Sequence, residues 1–256
     1  MRRSTPKSLI SVFLLTLGSL ALIPSCADNN SSLFVEGVMA LDTTTCVAKA
    51  DNTAVLLAGG IMDVAFRTSY TAFVLVGNQL TERGSREQLR TETSRIALRG
   101  AEVTLTTLDG KTLGNYSTVG TGFVNASAGD VPSYAAMSVD IIPSALGSSS
   151  AVLNAGTVLA KIRVFGDTLG NIAVTSSELD FPIRVCNGCL VTYPTAAADP
   201  AQPTGVYQCT SSASTTQTTT EVPPCILGQD QTFACTQCSA AVPLCKDPGQ
   251  NPSYGP

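Results

Sequence analysis

The sequence contains no histidine and no tryptophan. Without an imidazole, Ser-His-Asp and Cys-His nucleophile systems, HExxH metalloprotease sites and His-ligated metal centres are excluded. The absence of tryptophan removes the largest flat ring available for stacking on a sugar. A carboxylate-pair glycosidase stays open, because 19 acidic residues are scattered along the chain, but none lies in a recognisable motif. We therefore predict no catalytic residue, no cofactor and no metal site, and a protein that is not an enzyme.

Charged residues are also scarce, at 13% of the chain against a usual ~25%. The whole chain carries 15 basic and 19 acidic residues. Removal of Arg2, Arg3 and Lys7 leaves 12 basic residues against 19 acidic ones, a net charge of -7. Nucleic-acid binding needs a basic face that displaces counterions. An acidic surface therefore predicts that nucleic acid is not a partner.

One long apolar run is present, from Leu9 to Cys26, and it follows the positive charges of Arg2, Arg3 and Lys7. A basic start followed by an apolar stretch of about 15 residues is the layout of a secretory signal peptide. The run is shorter than the about 20 apolar residues that a transmembrane helix needs. We therefore predict that residues 1–25 are a signal peptide that is removed on export.

The run closes on Ile23-Pro24-Ser25-Cys26, which resembles the lipobox of bacterial lipoprotein precursors. The resemblance covers residues 1–30 and implies that Cys26 receives a diacylglyceryl group, that the chain is cut before it, and that the new amino terminus is acylated. The bilayer would then be a partner through acylated Cys26, and the small polar residues 26–32 would be the tether. The alternative is ordinary cleavage near Ser25, with Cys26 an incidental thiol.

The residue after Cys26 is Ala27 and not aspartate. In Gram-negative lipoproteins an aspartate at this position favours retention in the inner membrane. The resemblance therefore implies a lipid-anchored protein of the bacterial outer membrane, facing either the periplasm or the cell surface.

Residues 33–185 are rich in short runs with the period-2 alternation of β-strands. The phase shifts at Gly100, which predicts a bulge, and Asp109-Gly110 predicts a hairpin turn with positive φ at both positions. Pro182 cannot donate a ladder hydrogen bond, so its strand is expected at a sheet edge. Predicted strands cover residues 33–41, 61–66, 70–77, 95–108, 133–142, 157–165 and 178–185. With no convincing helix between them, the pattern predicts an all-β, antiparallel, immunoglobulin-like sandwich.

One charged stretch interrupts this domain, residues 81–99, which hold five arginines and three glutamates. A loop on a rigid scaffold often carries a binding site, so this stretch could contact a ligand or partner. The alternative is a solvated connector with weak ion pairs.

Residues 186–256 differ in character, because they hold seven of the nine cysteines and few long aliphatic runs. A segment this short needs covalent staples, so we predict a small, loop-dominated, disulfide-rich module. Its residues 225–238, with Gly228-Gln229-Asp230, are similar to the Cys-rich tails of uncharacterised exported bacterial lipoproteins, a resemblance that implies no activity.

Lipidation of Cys26 would leave an even set of eight thiols. We predict that all eight form disulfides: Cys46, Cys186, Cys189, Cys209, Cys225, Cys235, Cys238 and Cys245. One tail cysteine must then reach back to Cys46, and Cys186 is the expected partner because it ends the last strand. The two CxxC pairs leave a four-thiolate zinc module and a thioredoxin-like redox role as alternatives.

Together these features predict a membrane-anchored envelope lipoprotein that acts as a non-enzymatic structural or protein-interaction module, with an envelope protein as partner. The alternatives are an exported enzyme, either a carbohydrate hydrolase or a thiol-disulfide oxidoreductase, and a zinc-binding module.

Overall fold

The computed structural model describes residues 32–84, 91–192 and 224–234. This part of the chain is mostly β-strand, with two one-turn helices after the seventh strand. The elements are β1 (Leu33–Met39), β2 (Leu56–Leu57), β3 (Gly60–Asp63), β4 (Tyr70–Asn78), β5 (Ile96–Thr107), β6 (Thr112–Val124), β7 (Ser133–Ile142), α1 (Ser144–Gly147), α2 (Ser150–Leu153), β8 (Thr157–Thr168), β9 (Ala173–Thr175), β10 (Leu179–Cys186), β11 (Val191–Thr192) and β12 (Phe233–Ala234).

The long strands form two sheets that pack face to face. One has the order β2-β1-β4-β7, and the other has the order β3-β10-β8-β5-β6, with β9 added beside β8. The pairs within both sheets are antiparallel except β3 with β10, which is parallel. The predicted all-β sandwich is confirmed, and its immunoglobulin-like character stays a prediction. A third, two-stranded sheet joins β11 to β12.

The core lies between the two large sheets because alternate side chains of each strand point inward. Along β8, Val158, Ala160, Ile162 and Val164 are buried while most of the residues between them are partly exposed. The predicted alternation of β10 is confirmed in the same way. Full burial of each large aliphatic side chain contributes ~1.5–3 kcal/mol, so this packing is the main source of stability.

The predicted bulge at Gly100 is confirmed, since the register of β5 shifts between Leu98 and Gly100 against both neighbouring strands. A Cβ atom at Gly100 would overlap the carbonyl oxygen of Thr118, so glycine alone fits there. The predicted hairpin at Asp109-Gly110 joins β5 to β6, but its expected conformation was wrong. Only Gly110 has a positive φ, of 85°, as in three-residue hairpins that place one glycine in the left-handed region.

Two other expectations about strands need correction. β10 is not an edge strand along its whole length, because β3 pairs with it from Ile183 to Cys186. Pro182 directly precedes that pairing, so its missing N–H costs no bond to β3. The alternation predicted for residues 33–41 is broken in β1 by a register shift between Val35 and Gly37, and the strand ends at Met39.

Within the described part of the chain, no helix is both long and apolar enough to cross a bilayer.

The packing of β8 gives a direct test of the core. Ile162 is fully buried, whereas Val119 on β6 is 84% exposed. Ile162→Ala should lower the free energy of unfolding by about 2–5 kcal/mol, because it removes buried methyl groups and leaves a cavity. Val119→Ala is the matched control and should change it by less than about 0.5 kcal/mol. Urea unfolding followed by circular dichroism measures both, and equal effects would contradict the assigned core.

Candidate functional site

Residues 224–231, which we call the strap, lie against β3. The N–H of Asp63 donates to the carbonyl oxygen of Gly228 at 2.9 Å, and the N–H of Asp230 donates to that of Ile61 at 3.1 Å. Gln229 forms an antiparallel bridge with Met62. Part of the Cys-rich segment therefore pairs with the larger sheet.

The side chain of Gln229 reaches the other sheet. Its Oε1 accepts from the N–H of Thr71 at 3.2 Å, and its Nε2 donates to the carbonyl oxygen of Thr71 at 2.7 Å. The residue is 5% exposed. The amide therefore pairs backbone groups of β4 that would otherwise lack a partner. An unpaired buried polar group costs ~1–3 kcal/mol, so this contact stabilises the sandwich. Gln229 thus connects the two sheets.

The buried Tyr70 and the partly buried Asp230 form a hydrogen-bonded pair beside this connection. The hydroxyl of Tyr70 donates to Oδ2 of Asp230 at 2.8 Å, and the N–H of Ile61 donates to Oδ1 at 2.8 Å. Burial raises the pKa of Asp230, although these donors, Gln229 and Arg67 act against that rise. Burial also raises the pKa of Tyr70, and the nearby Asp230 adds to the effect. Both groups therefore favour their neutral forms more than they would in water.

A partly open cavity of about 190 Å³ lies between the strap and the ends of β1 and β4. Its wall is mainly apolar, and its polar side is formed by Thr71 and the strap residues Gln229 and Asp230. The volume is close to that of cavities that hold a single six-membered ring. The polar groups of Gln229, Asp230 and Tyr70 already bind one another or the backbone, so these three side chains are engaged within the fold.

The strap is bonded covalently to the turn after β1. Cys46 and Cys225 form a disulfide across a sequence separation of 179 residues. The turn presents Cys46 with a φ of 56°, and Oδ1 of Asp42 fixes it by accepting from the N–H groups of Thr44 and Thr45. A tail cysteine does reach back to Cys46, as the thiol count predicted.

The predicted choice of Cys186 as that partner was wrong. Cys186 ends β10 inside the larger sheet, opposite Asp63 of β3, and it is bonded to Cys189. The strap instead carries Cys225 to the turn that follows β1. Proximity to a strand end in sequence therefore did not identify the cysteine that lies close in space.

The loop from Cys186 to Cys189 wraps around the side chain of Asp63. Oδ1 of Asp63 accepts from the N–H of Gly188 at 2.6 Å, and Oδ2 accepts from the N–H of Leu190 at 2.9 Å. Asp63, Cys186 and Cys189 place their potential ligand atoms within 4.8 Å of one another. Because the two sulfurs are bonded together and both carboxyl oxygens accept N–H groups, this arrangement is that of an anchored disulfide.

The remaining predicted site residues lie outside the described residues. These are the lipidation site Cys26 and the cysteines Cys209, Cys235, Cys238 and Cys245. The signal peptide, nearly all of the tether and the second CxxC pair lie there too. Their predicted roles stay predictions.

The charged stretch 81–99 is described on both sides of residues 85–90. Glu92 accepts from the N–H groups of Arg83 and Gly84, which fixes the ends of the loop. Arg95 lies 4.4 Å from the centre of the Phe123 ring, and Arg99 forms an exposed ion pair with Asp167 at 3.1 Å. The side chains of Arg95 and Arg99 have partners within the fold, which at these two positions favours the connector over the binding loop.

The sequence did not identify the residues that hold the strap and the Cys186–Cys189 loop in place. Asp63, Tyr70 and Thr71 have the pattern of ordinary strand positions, and Gln229-Asp230 was noted only within the segment that resembles other Cys-rich tails. One signal was present: Asp63 and Asp230 are acids in segments otherwise poor in charge. A buried acid needs several donors, so each was a candidate for a long-range contact.

The raised pKa of Asp230 gives a pH-dependent stability. Because its folded pKa lies above the unfolded value of about 3.9, the stability it contributes is complete below that value and is lost as pH rises through the folded pKa. Asp230→Asn stays neutral, so it should lose less stability than the wild type as the pH rises above about 4. Urea midpoints measured from that pH upwards give the comparison.

Asp130→Asn is the matched control for this test, because Asp130 is exposed. It should keep the pH dependence of the wild type. Identical pH profiles for the wild type and Asp230→Asn would contradict the assigned burial of Asp230.

The two disulfides should contribute unequally to stability. Replacing Cys46 and Cys225 together by serine should lower the free energy of unfolding by about 5 kcal/mol, since the unfolded chain regains a very long loop. Replacing Cys186 and Cys189 together should lower it by only about 2 kcal/mol on the same relation. Urea unfolding without reductant measures both, and a larger loss for the second pair would contradict this ranking.

No protein-family model and no curated protein matches the chain. The functional proposal therefore rests on the sequence, the fold and the contacts of the chain.

Proposed function

We propose that the chain is an exported, lipid-anchored protein of the bacterial envelope that acts as a non-enzymatic structural or protein-interaction module. The observation that carries this proposal is the Cys46–Cys225 disulfide, which ties the start of the sandwich to the Cys-rich segment. Disulfides form and persist in oxidising compartments, which a bacterial protein reaches by export. The signal-type residues 1–25 and the lipobox-like Ile23-Pro24-Ser25-Cys26 agree with that route.

The chemistry of the described residues supports a non-enzymatic role. Histidine is absent from the whole sequence. Tyr70 and Asp230 are hydrogen-bonded to each other within the fold, and the strap disulfide fixes the wall of the adjoining cavity. A rigid, cross-linked sandwich on a short tether is suited to holding a surface at a fixed distance from the bilayer.

A lipid anchor would act through Cys26. Two or more acyl chains hold a protein stably at a bilayer, because each buried methylene contributes ~0.8 kcal/mol. Strand β1 begins at Leu33, so six residues of the sequence separate Cys26 from β1. The acidic mature chain would gain little from anionic headgroups, and the anchor would supply the attachment.

Cys26→Ser should abolish lipidation. Cells that express the wild-type chain with radiolabelled palmitate should yield a labelled protein, and cells that express Cys26→Ser should not, because the thioether bond needs the thiol. Ser25→Ala is the matched control, since it keeps the thiol and a small residue before the cut, and it should stay labelled. An unlabelled wild-type product would overturn the anchor.

The membrane that receives the protein is tested separately by Ala27→Asp. In a Gram-negative host the wild type should fractionate with the outer membrane, and the variant should shift towards the inner membrane. A wild type found in the inner membrane would contradict the proposed location.

A further inference from the structure

The disulfide between Cys186 and Cys189 is poorly explained by stability. It joins residues only three apart, whereas Cys46–Cys225 joins residues 179 apart. The entropy that a cross-link removes from the unfolded chain grows with the length of the closed loop. The Cys186–Cys189 link therefore removes less entropy from the unfolded chain than Cys46–Cys225 does. Stability alone does not account for its presence.

The fold around this disulfide is held without it. Asp63 is fully buried and accepts from the N–H groups of Gly188 and Leu190, one on each side of Cys189. The carbonyl oxygen of Cys186 accepts from the N–H of Val64 at 2.7 Å. These bonds fix the loop whether or not the sulfurs are joined, so the link can open without unfolding the sheet.

The sulfurs can also be reached and can accept a proton. Neither cysteine is buried. Sγ of Cys186 lies 3.6 Å from the carbonyl oxygen of Met62, within reach of an S–H donor once the link is reduced. Cys186 is held in β10, while Cys189 lies in the loop that follows. An incoming thiolate therefore meets Cys189 first.

We propose that Cys186–Cys189 is a thiol–disulfide exchange site that accepts two electrons from a protein dithiol of the envelope. This role goes beyond the proposed anchoring module and does not depend on the lipid. A partner thiolate attacks Sγ of Cys189, a mixed disulfide forms, and the bond to Cys186 breaks. The sulfur of Cys186 takes up a proton and donates to Met62.

The second partner thiol completes the exchange. As a thiolate it attacks the mixed disulfide, and Cys189 leaves and takes up a proton. The partner ends as a disulfide, the chain ends as a dithiol, and two electrons and two protons have passed between them. Asp63 does not touch the partner and acts as a positioning residue that keeps the two thiols close for reoxidation.

The site lacks the feature that activates the thiols of thioredoxin-like enzymes. Those enzymes place the CxxC motif at a helix N-terminus, which lowers the thiol pKa. Here the motif follows a strand and precedes β11, with a buried carboxyl group beside it. The structure therefore favours a site that is reduced by a more reactive partner thiol over one that starts the exchange itself.

The experiment titrates the mature full chain in detergent with reduced and oxidised dithiothreitol at a series of ratios. Free thiols are trapped with N-ethylmaleimide, and the peptides that carry each cysteine are quantified by mass spectrometry. Cys186 and Cys189 should be alkylated together at ratios that leave Cys46–Cys225 intact. Near-ultraviolet circular dichroism should stay native at those ratios.

Asp63→Asn tests the positioning role in the same titration. The amide keeps one acceptor oxygen and replaces the other by a donor, so one loop N–H loses its partner and the thiols are held less closely. The equilibrium should shift towards the dithiol by about tenfold, the order of the effect of losing one hydrogen bond. Asp130→Asn is the control and should titrate as the wild type does.

One result would overturn the exchange site, and another would overturn the positioning role of Asp63. One is that Cys186 and Cys189 become alkylated only together with Cys46 and Cys225, or only when the native circular dichroism is lost. The other is that Asp63→Asn folds and leaves the equilibrium unchanged, which would remove the positioning role. The wild-type titration decides the first point even if Asp63→Asn fails to fold.

Discussion

Gln229 makes the polar contact that joins the two sheets on the strap side of the sandwich. Its backbone bridges Met62 in the larger sheet, and its side-chain amide binds both backbone groups of Thr71 in the smaller one. An amide can donate and accept at once, so it replaces a missing strand residue at this point. The neighbouring Asp230 and the Cys46–Cys225 bond keep the strap in register, so that the apolar core stays covered on this side.

The described disulfides have different physical settings. Cys46–Cys225 ties the strap to the turn after β1, so this covalent closure acts together with the hydrogen bonds of the strap to β3 and β4. Cys186–Cys189 lies on a loop that the buried Asp63 already orders. Cys46–Cys225 therefore helps to hold the fold together, whereas Cys186–Cys189 lies on a loop that is already held in place without it.

The fold could be predicted from the sequence to the extent that local patterns determine it. Strands such as β7 and β8 alternate regularly, and the break at Gly100 marks a bulge, because side-chain period and glycine geometry are local properties. The strap could not be predicted, since its register is set by contacts such as Asp230 with Ile61, 169 residues apart. The partner of Cys46 was missed for the same reason.

The spacing of the cysteines also bears on the order in which the chain is oxidised. A protein exported from its amino terminus delivers Cys46 first, then Cys186 and Cys189, and only later Cys225. Two thiols three residues apart meet far more readily than thiols separated by a long loop. Early closure of Cys186–Cys189 therefore withdraws both sulfurs from competition for Cys46 before Cys225 arrives.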